Sequence, residues 1–147
     1  MSQPVKFQFK KMIKANRQTV FEAWTNRELI KTWFAPGQLT SPSSEIDLRV
    51  GGSFRVNMEG PMRGQQTTGN VSGEYQKIIP NELLVFTFRG TWENVPDSTV
   101  TVEFKDAAGG TEIRLTHEGI IDGQGGEGKR QGWESSLEKL SHICSEV

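Results

Sequence analysis

The chain has 147 residues, 34% hydrophobic and 24% charged, with one cysteine. That length fits one domain whose core needs no disulfide or structural metal, and the composition excludes an integral membrane, collagen-like or wholly disordered chain. With 17 Lys and Arg against 18 Asp and Glu, the net charge is −1. No overall field therefore points to nucleic acid or a membrane surface.

Val5, Phe7 and Phe9 alternate with Lys6, Gln8 and Lys10, a period of two that predicts a half-buried strand. Asn16 is placed to cap a helix carrying Val20, Phe21 and Trp24 on one face. Asn26 is placed to cap a second, short helix with Leu29, Ile30, Trp33 and Phe34 at helical spacing, which Ala35-Pro36-Gly37 stops. From Ser43 to His117 the pattern is β. Ile46 and Leu48 alternate with charge, Gly51-Gly52 turns the chain, and Phe54, Val56 and Met58 face away from Ser53, Arg55, Asn57 and Glu59.

Gly60–Gln66 reads as a loop, followed by a strand with Val71, Gly73 and Tyr75 and a turn at Pro80-Asn81. Leu84, Phe86 and Phe88 form the next strand, and Glu93–Asp97 turns. Val100, Val102 and Phe104 then share one face, and after a hairpin at Asp106–Gly110 so do Ile113, Leu115 and His117. A glycine-rich loop, Gly119–Gly128, leads to an amphipathic helix bearing Trp133, Leu137, Leu140 and Cys144. The order is strand, two short helices, about six antiparallel strands and a long helix. The expected fold class is α+β, one domain over residues 1–147, with the last helix covering the apolar side of the sheet.

Gly123-Gln124-Gly125-Gly126-Glu127-Gly128-Lys129 carries GxGxxG spacing and most of a phosphate-binding loop. Arg130 stands where Ser or Thr would hold magnesium, and the preceding strand alternates as antiparallel strands do, so nucleotide binding is not expected. Lys6, Lys10, Lys11, Lys14 and Arg17 occur with no acid before them, either a docking stripe for an acidic partner or a solvated face that guards an edge strand. Cys144 with only His117 and His142 makes a metal centre improbable, and no cofactor is implied. The first thirty residues hold no apolar run beside a cleavage site, so a cytoplasmic location is the expectation.

Several local strings resemble a known family. They are Val20-Phe21-Glu22-Ala23-Trp24 with Glu28 to Phe34, Asp47 to Phe54, Gly73-Glu74-Tyr75 with Ile78-Ile79-Pro80 and Leu84 to Thr87, Leu115 to Gly119, and Gly132 to Leu137. In this order they resemble the SRPBCC (START-like) superfamily, and within it the branch similar to the C-terminal domain of the activator of heat-shock protein 90 ATPase. The resemblance implies a helix-grip fold: a curved antiparallel sheet gripping the C-terminal helix, often around a cavity.

The superfamily includes lipid carriers, hormone receptors and aromatic cyclases, so the fold alone does not fix the function. The leading expectation is a binding module for a small hydrophobic or amphipathic molecule. Its cavity would be lined by Phe54, Val56, Met58, Gly73, Tyr75, Phe86, Phe88, Trp92, Val102, Phe104, His117, Trp133 and Leu137. Tyr75, Trp92 and His117 would supply directional hydrogen bonds. Gly69 and Gly73 share the phase of Tyr75 and mark either a bend in the sheet or room for a ligand. The alternative is a protein-interaction module that stimulates a heat-shock chaperone ATPase. Against it, the eukaryotic activators carry an additional N-terminal domain, for which the residues ahead of Val5 leave no room. A third reading is a cyclase, dehydratase or hydrolase using Tyr75 or His117. Neither nucleic acid binding nor membrane insertion is expected.

Overall fold

The computed structural model describes residues 4–62, 64–91, 97–121 and 126–144. The alternating N-terminal segment forms β1 (Pro4–Ile13). Asn16 then caps α1 (Arg17–Thr25), its Oδ1 accepting the Thr19 amide at 2.8 Å. Asn26 repeats the device for α2 (Arg27–Ile30), accepting from the amides of Glu28 and Leu29. This second helix is one turn long. After it the Thr32 amide donates back to Leu29, three residues earlier, and the chain tightens into turns. Ile30, Trp33 and Phe34 are buried as their spacing predicts, whereas Leu29 stays 39% exposed.

Six further strands follow: β2 (Ser44–Ile46), β3 (Ser53–Met62), β4 (Gln65–Ile79), β5 (Leu83–Gly90), β6 (Ser98–Ala107) and β7 (Gly110–Ile121). They join β1 in one seven-stranded sheet ordered β1-β7-β6-β5-β4-β3-β2. Every neighbouring pair is antiparallel. The last helix, α3 (Gly126–Cys144), lies against the apolar side of the curved sheet, giving the α+β order the sequence pattern predicts and the helix-grip architecture the resemblance implies.

Three sequence expectations are corrected, two of them at glycines. Gly60–Gln66 is the end of a long hairpin and not a loop, with Gly60 opposite Thr67 and Met62 opposite Gln65. Gly60 sits at φ +140°, where a Cβ would press on the backbone of Gln38 and Leu39 at 3.1 Å. A residue that reads as a strand breaker thus continues the strand and lets another segment approach it. In the same way β7 runs through Gly119, at φ +83°, to Ile121, and α3 begins at Gly126, so the two ends of the expected loop over 119–128 are strand and helix. Leu48 lies beyond the end of β2 and is 43% exposed, so the Ile46–Leu48 alternation is not one strand face. Trp92, most of the turn over 93–97, and residues 122–125 lie outside the described residues.

The inner face buries one continuous core. Ser136 Oγ donates to the Phe34 carbonyl at 2.8 Å, Lys139 Nζ to the Ala35 carbonyl at 2.5 Å, and the Gly37 amide to Ser135 Oγ at 2.8 Å. These bonds tie α3 to the segment leaving α2. Lys11 of β1 pairs with Glu138 at 2.5 Å on the other side of the helix. No described helix is long and apolar enough to cross a membrane.

Candidate functional site: the aromatic interior

The +4, +3 spacing of Trp133, Leu137 and Leu140 turns all three toward the sheet, where each is at most 4% exposed. Trp133 is the hub. Its ring stacks on Trp24 of α1 (centroids 6.0 Å, 26°) and meets Phe34, Phe88 and His117 at 5.8, 5.9 and 6.1 Å. Trp24 in turn touches Trp33, Phe104 and Phe86 at 4.6, 6.3 and 6.4 Å. Phe86 leads on to Phe54 and Tyr75 at 5.2 and 6.3 Å. A band of rings therefore runs from the α1 and α3 helices to strands β3, β4 and β5.

His117 is fully buried on β7, and both its nitrogens are occupied. The indole N–H of Trp133 donates to Nδ1 at 2.9 Å. An indole nitrogen only donates, so Nδ1 carries no proton and the neutral ring holds its hydrogen on Nε2. That nitrogen faces Ser98 Oγ at 2.6 Å, and the Ser98 hydroxyl donates onward to the Phe88 carbonyl at 3.4 Å. Burial pushes the imidazole down to about 4, which keeps it neutral at physiological pH. Its one lone pair is taken by Trp133, so the residue acts as a clamp between sheet and helix and offers no base to a substrate.

Gly73 marks a close approach of two strands. A Cβ there would fall 1.8 Å from the Thr87 carbonyl oxygen and 2.8 Å from Phe54 Cε1. The β5 backbone already occupies that space, so the glycine permits close strand approach and leaves no room for a ligand at that point. Nearby, the β4–β5 register slips between Tyr75 and Lys77. Gly69 is half-buried opposite Met58.

Val56, Met58, Val102, Phe104 and Leu137 are buried walls of the core, with Phe104 packed under Phe21 of α1 at 5.3 Å. Phe54, Tyr75 and Phe86 cluster together, while Phe88 sits on His117 at 4.8 Å. Among the described residues, then, the predicted positions other than Gly73 belong to one buried core.

Two polar groups at this aromatic band make no hydrogen bond among the described residues, and of the two only the Trp24 nitrogen is a fully buried atom. The Trp24 indole N–H is buried with no acceptor, although its residue is only 2% exposed. By contrast the adjacent Trp33 N–H reaches the Ala23 carbonyl at 2.9 Å. The Tyr75 hydroxyl makes no hydrogen bond among the described residues, and burial raises its phenol above the ordinary range, so it stays protonated as a donor. Both rings flank Phe86. Sequence reasoning placed Trp24 only in the core, because an indole without an acceptor has no local signature. It also passed over Ser98, whose signal was available: a lone polar residue in the inward phase of Val100 and Val102.

Other reactive groups have structural surroundings. Burial pushes the Cys144 thiol up to about 11. The solvent side of the sheet bears a depression of about 550 Å³ over β2 to β5, with charges of both signs and Arg89 tied to Asp97 at 2.5 Å.

Comparison with known proteins places this geometry. A family described as Activator of Hsp90 ATPase homolog 1-like protein matches residues 14–145. The human protein named Activator of 90 kDa heat shock protein ATPase homolog 1 is 25% identical over 130 residues, which are 88% of this chain and 33% of the human one. The mouse protein of the same name is 24% identical over the same length. The chain thus spans about a third of the length of these curated relatives. A crystal structure from Chromobacterium violaceum superposes with a TM-score of 0.85 at 23% identity, covering 97% of this chain and 98% of the other. The AHSA1-like protein from Aeromonas hydrophila gives 0.78 at 22% identity, covering 94% and 90%. Likeness at such identities establishes the fold.

Proposed function

The chain belongs to the Activator of Hsp90 ATPase homolog 1-like family, and on that premise we propose that it is a binding module for a small, largely apolar molecule carrying an acceptor oxygen. One observation supports this above the rest: the buried Trp24 N–H that no acceptor among the described residues meets. An unsatisfied buried donor costs about 1–3 kcal/mol, and native cores seldom retain one without a use. A guest seated among the rings beside Trp24 offsets that cost by accepting from the indole. A carbonyl or ether oxygen suits it, because indole only donates. Tyr75, held as a neutral phenol, supplies a second donor near the other side of Phe86.

The energy available is adequate. Burying about 200 Å² of apolar guest surface is worth about 5 kcal/mol before association costs. Hydrogen bonds then select among guests of similar size. The interior suits binding more than turnover, since His117 has no free lone pair and the Tyr75 phenol resists ionisation.

The test is a panel of paired guests, such as naphthalene with 2-naphthyl methyl ketone, screened for thermal stabilisation of the native protein and of Trp24→Phe. The ketone is expected to raise the melting temperature more than the hydrocarbon, and Trp24→Phe to erase that difference while binding of both persists. Absence of stabilisation by any guest overturns the proposal.

The family match favours a second reading, stimulation of a 90 kDa heat-shock chaperone ATPase, as the names of the human and mouse relatives state for those proteins. The rate of ATP hydrolysis by such a chaperone, with and without this chain, tests it. A rise in that rate without stabilisation by any guest supports the second reading over the first.

A further inference from the structure

We propose that the free edge of β1 is a docking strand for an acidic, extended peptide segment of a partner protein, which joins the sheet beyond β1. The strand ends the sheet, with β7 its one neighbour among the described residues. Apart from that pairing, the main-chain bond made by β1 among the described residues is the Ala15 amide donating to Ile13. Its outer edge therefore presents unused backbone donors and acceptors, which an extended peptide can satisfy.

Charge specifies the occupant. Basic residues at this end of the chain divide into two sets. Lys11 is paired with Glu138, and Arg17 with Asp106 at 3.0 Å. Lys6, Lys10 and Lys14 are exposed and make no direct ion pair among the described residues, although the Glu112 carboxylate feels the charge of Lys10. Lys6 and Lys10 share the solvent side of the strand, about 13 Å apart at strand rise. Across the ladder Lys6 faces Glu118, but Lys10 faces Arg114, whose own partner is Glu112. The surplus around Lys10 is thus positive on a chain whose net charge is −1. The same lysines disfavour self-association: an antiparallel copy of β1 centred on Gln8 would set Lys6 against Lys10. Carboxylates four residues apart on an added strand meet both lysines instead, so the row disfavours a copy in that register and favours an acidic segment.

The proposal is independent of the interior site. A labelled peptide as long as β1, alternating Glu with Val and Thr, is titrated by fluorescence anisotropy, and amide hydrogen exchange is followed on the complex. Slowed exchange confined to β1 is expected, with affinity falling as salt rises. Lys6→Glu with Lys10→Glu should weaken binding at least about tenfold, and a peptide with Lys in place of Glu should bind that double variant while ignoring the native chain. Because both side chains are exposed, this charge exchange reads out docking and not folding. The idea is overturned if β1 amides exchange unchanged at saturation, if the double variant binds the acidic peptide equally well, or if an anionic vesicle or single-stranded oligonucleotide binds the lysine row more tightly than the peptide.

Discussion

Lowering the pH from about 8 to about 5 is expected to cost the fold about 2 kcal/mol through His117. Burial holds its imidazole at about 4, against 6.5 ordinarily. In the unfolded chain the ring takes up a proton near 6.5, whereas in the native protein it does so only near 4. Between those values the unfolded state binds the extra proton, so falling pH favours unfolding. The contribution of the neutral ring is whole above about pH 6.5 and drains away toward pH 4, at about 1.4 kcal/mol per unit at most. That gives about 2 kcal/mol lost by pH 5 and about 3 by pH 4. Hydrogen bonds from Lys31, Arg114 and Lys11 hold the exposed carboxyls of Glu28, Glu112 and Glu138 below the ordinary carboxylate range, so the stability they lend is lost mainly at pH values below this window. Urea unfolding at both pH values measures the difference, with His117→Gln as the control that removes the titrating ring. The native protein should lose about 2 kcal/mol and the variant almost none of it, whatever its stability at pH 8. Equal losses refute the argument. If the variant fails to fold, a nuclear magnetic resonance titration of the native ring decides the same point, since an ordinary imidazole value contradicts it.

Gly73→Ala should destabilise the fold by at least about 2 kcal/mol in urea unfolding, because its methyl group meets the Thr87 carbonyl at 1.8 Å and β4 and β5 must part. A neutral result means that the strands do not approach this closely. Trp33→Phe should cost about 1–2 kcal/mol more than Trp24→Phe in the unliganded protein. The first strands the Ala23 carbonyl, while the second removes a donor with no acceptor. Equal costs in thermal unfolding would mean that the Trp24 N–H already has a partner.

The strands were legible wherever burial alternates on one residue in two. Phe54, Val56 and Met58, or Ile113, Leu115 and His117, declare an inward face because a pleated strand offers only two directions. The caps at Asn16 and Asn26 were legible too, since a short side chain satisfying a helix's first amides is a purely local device. Gly60 and Gly119 misled because a missing side chain signals a turn and a close strand approach alike, and what distinguishes them lies elsewhere: Leu39 at Gly60, Ser98 at Gly119. The interior polar groups were legible only in part. His117 was recognised as inward, yet its role depends on Ser98 and Trp133, brought together by sheet register and helix docking, not by spacing. Trp24 and Trp33 lie on neighbouring turns of chain with the same chemistry, and only tertiary geometry gives one an acceptor and leaves the other without.

The most direct measurement is the indole N–H spectrum of the ¹⁵N-labelled protein during titration with an oxygen-bearing aromatic guest. Saturable downfield movement of the Trp24 signal is predicted, with the Trp33 signal, already bonded to Ala23, nearly still. A Trp24 resonance that stays in place up to the solubility limit of every such guest would contradict a binding site in the interior.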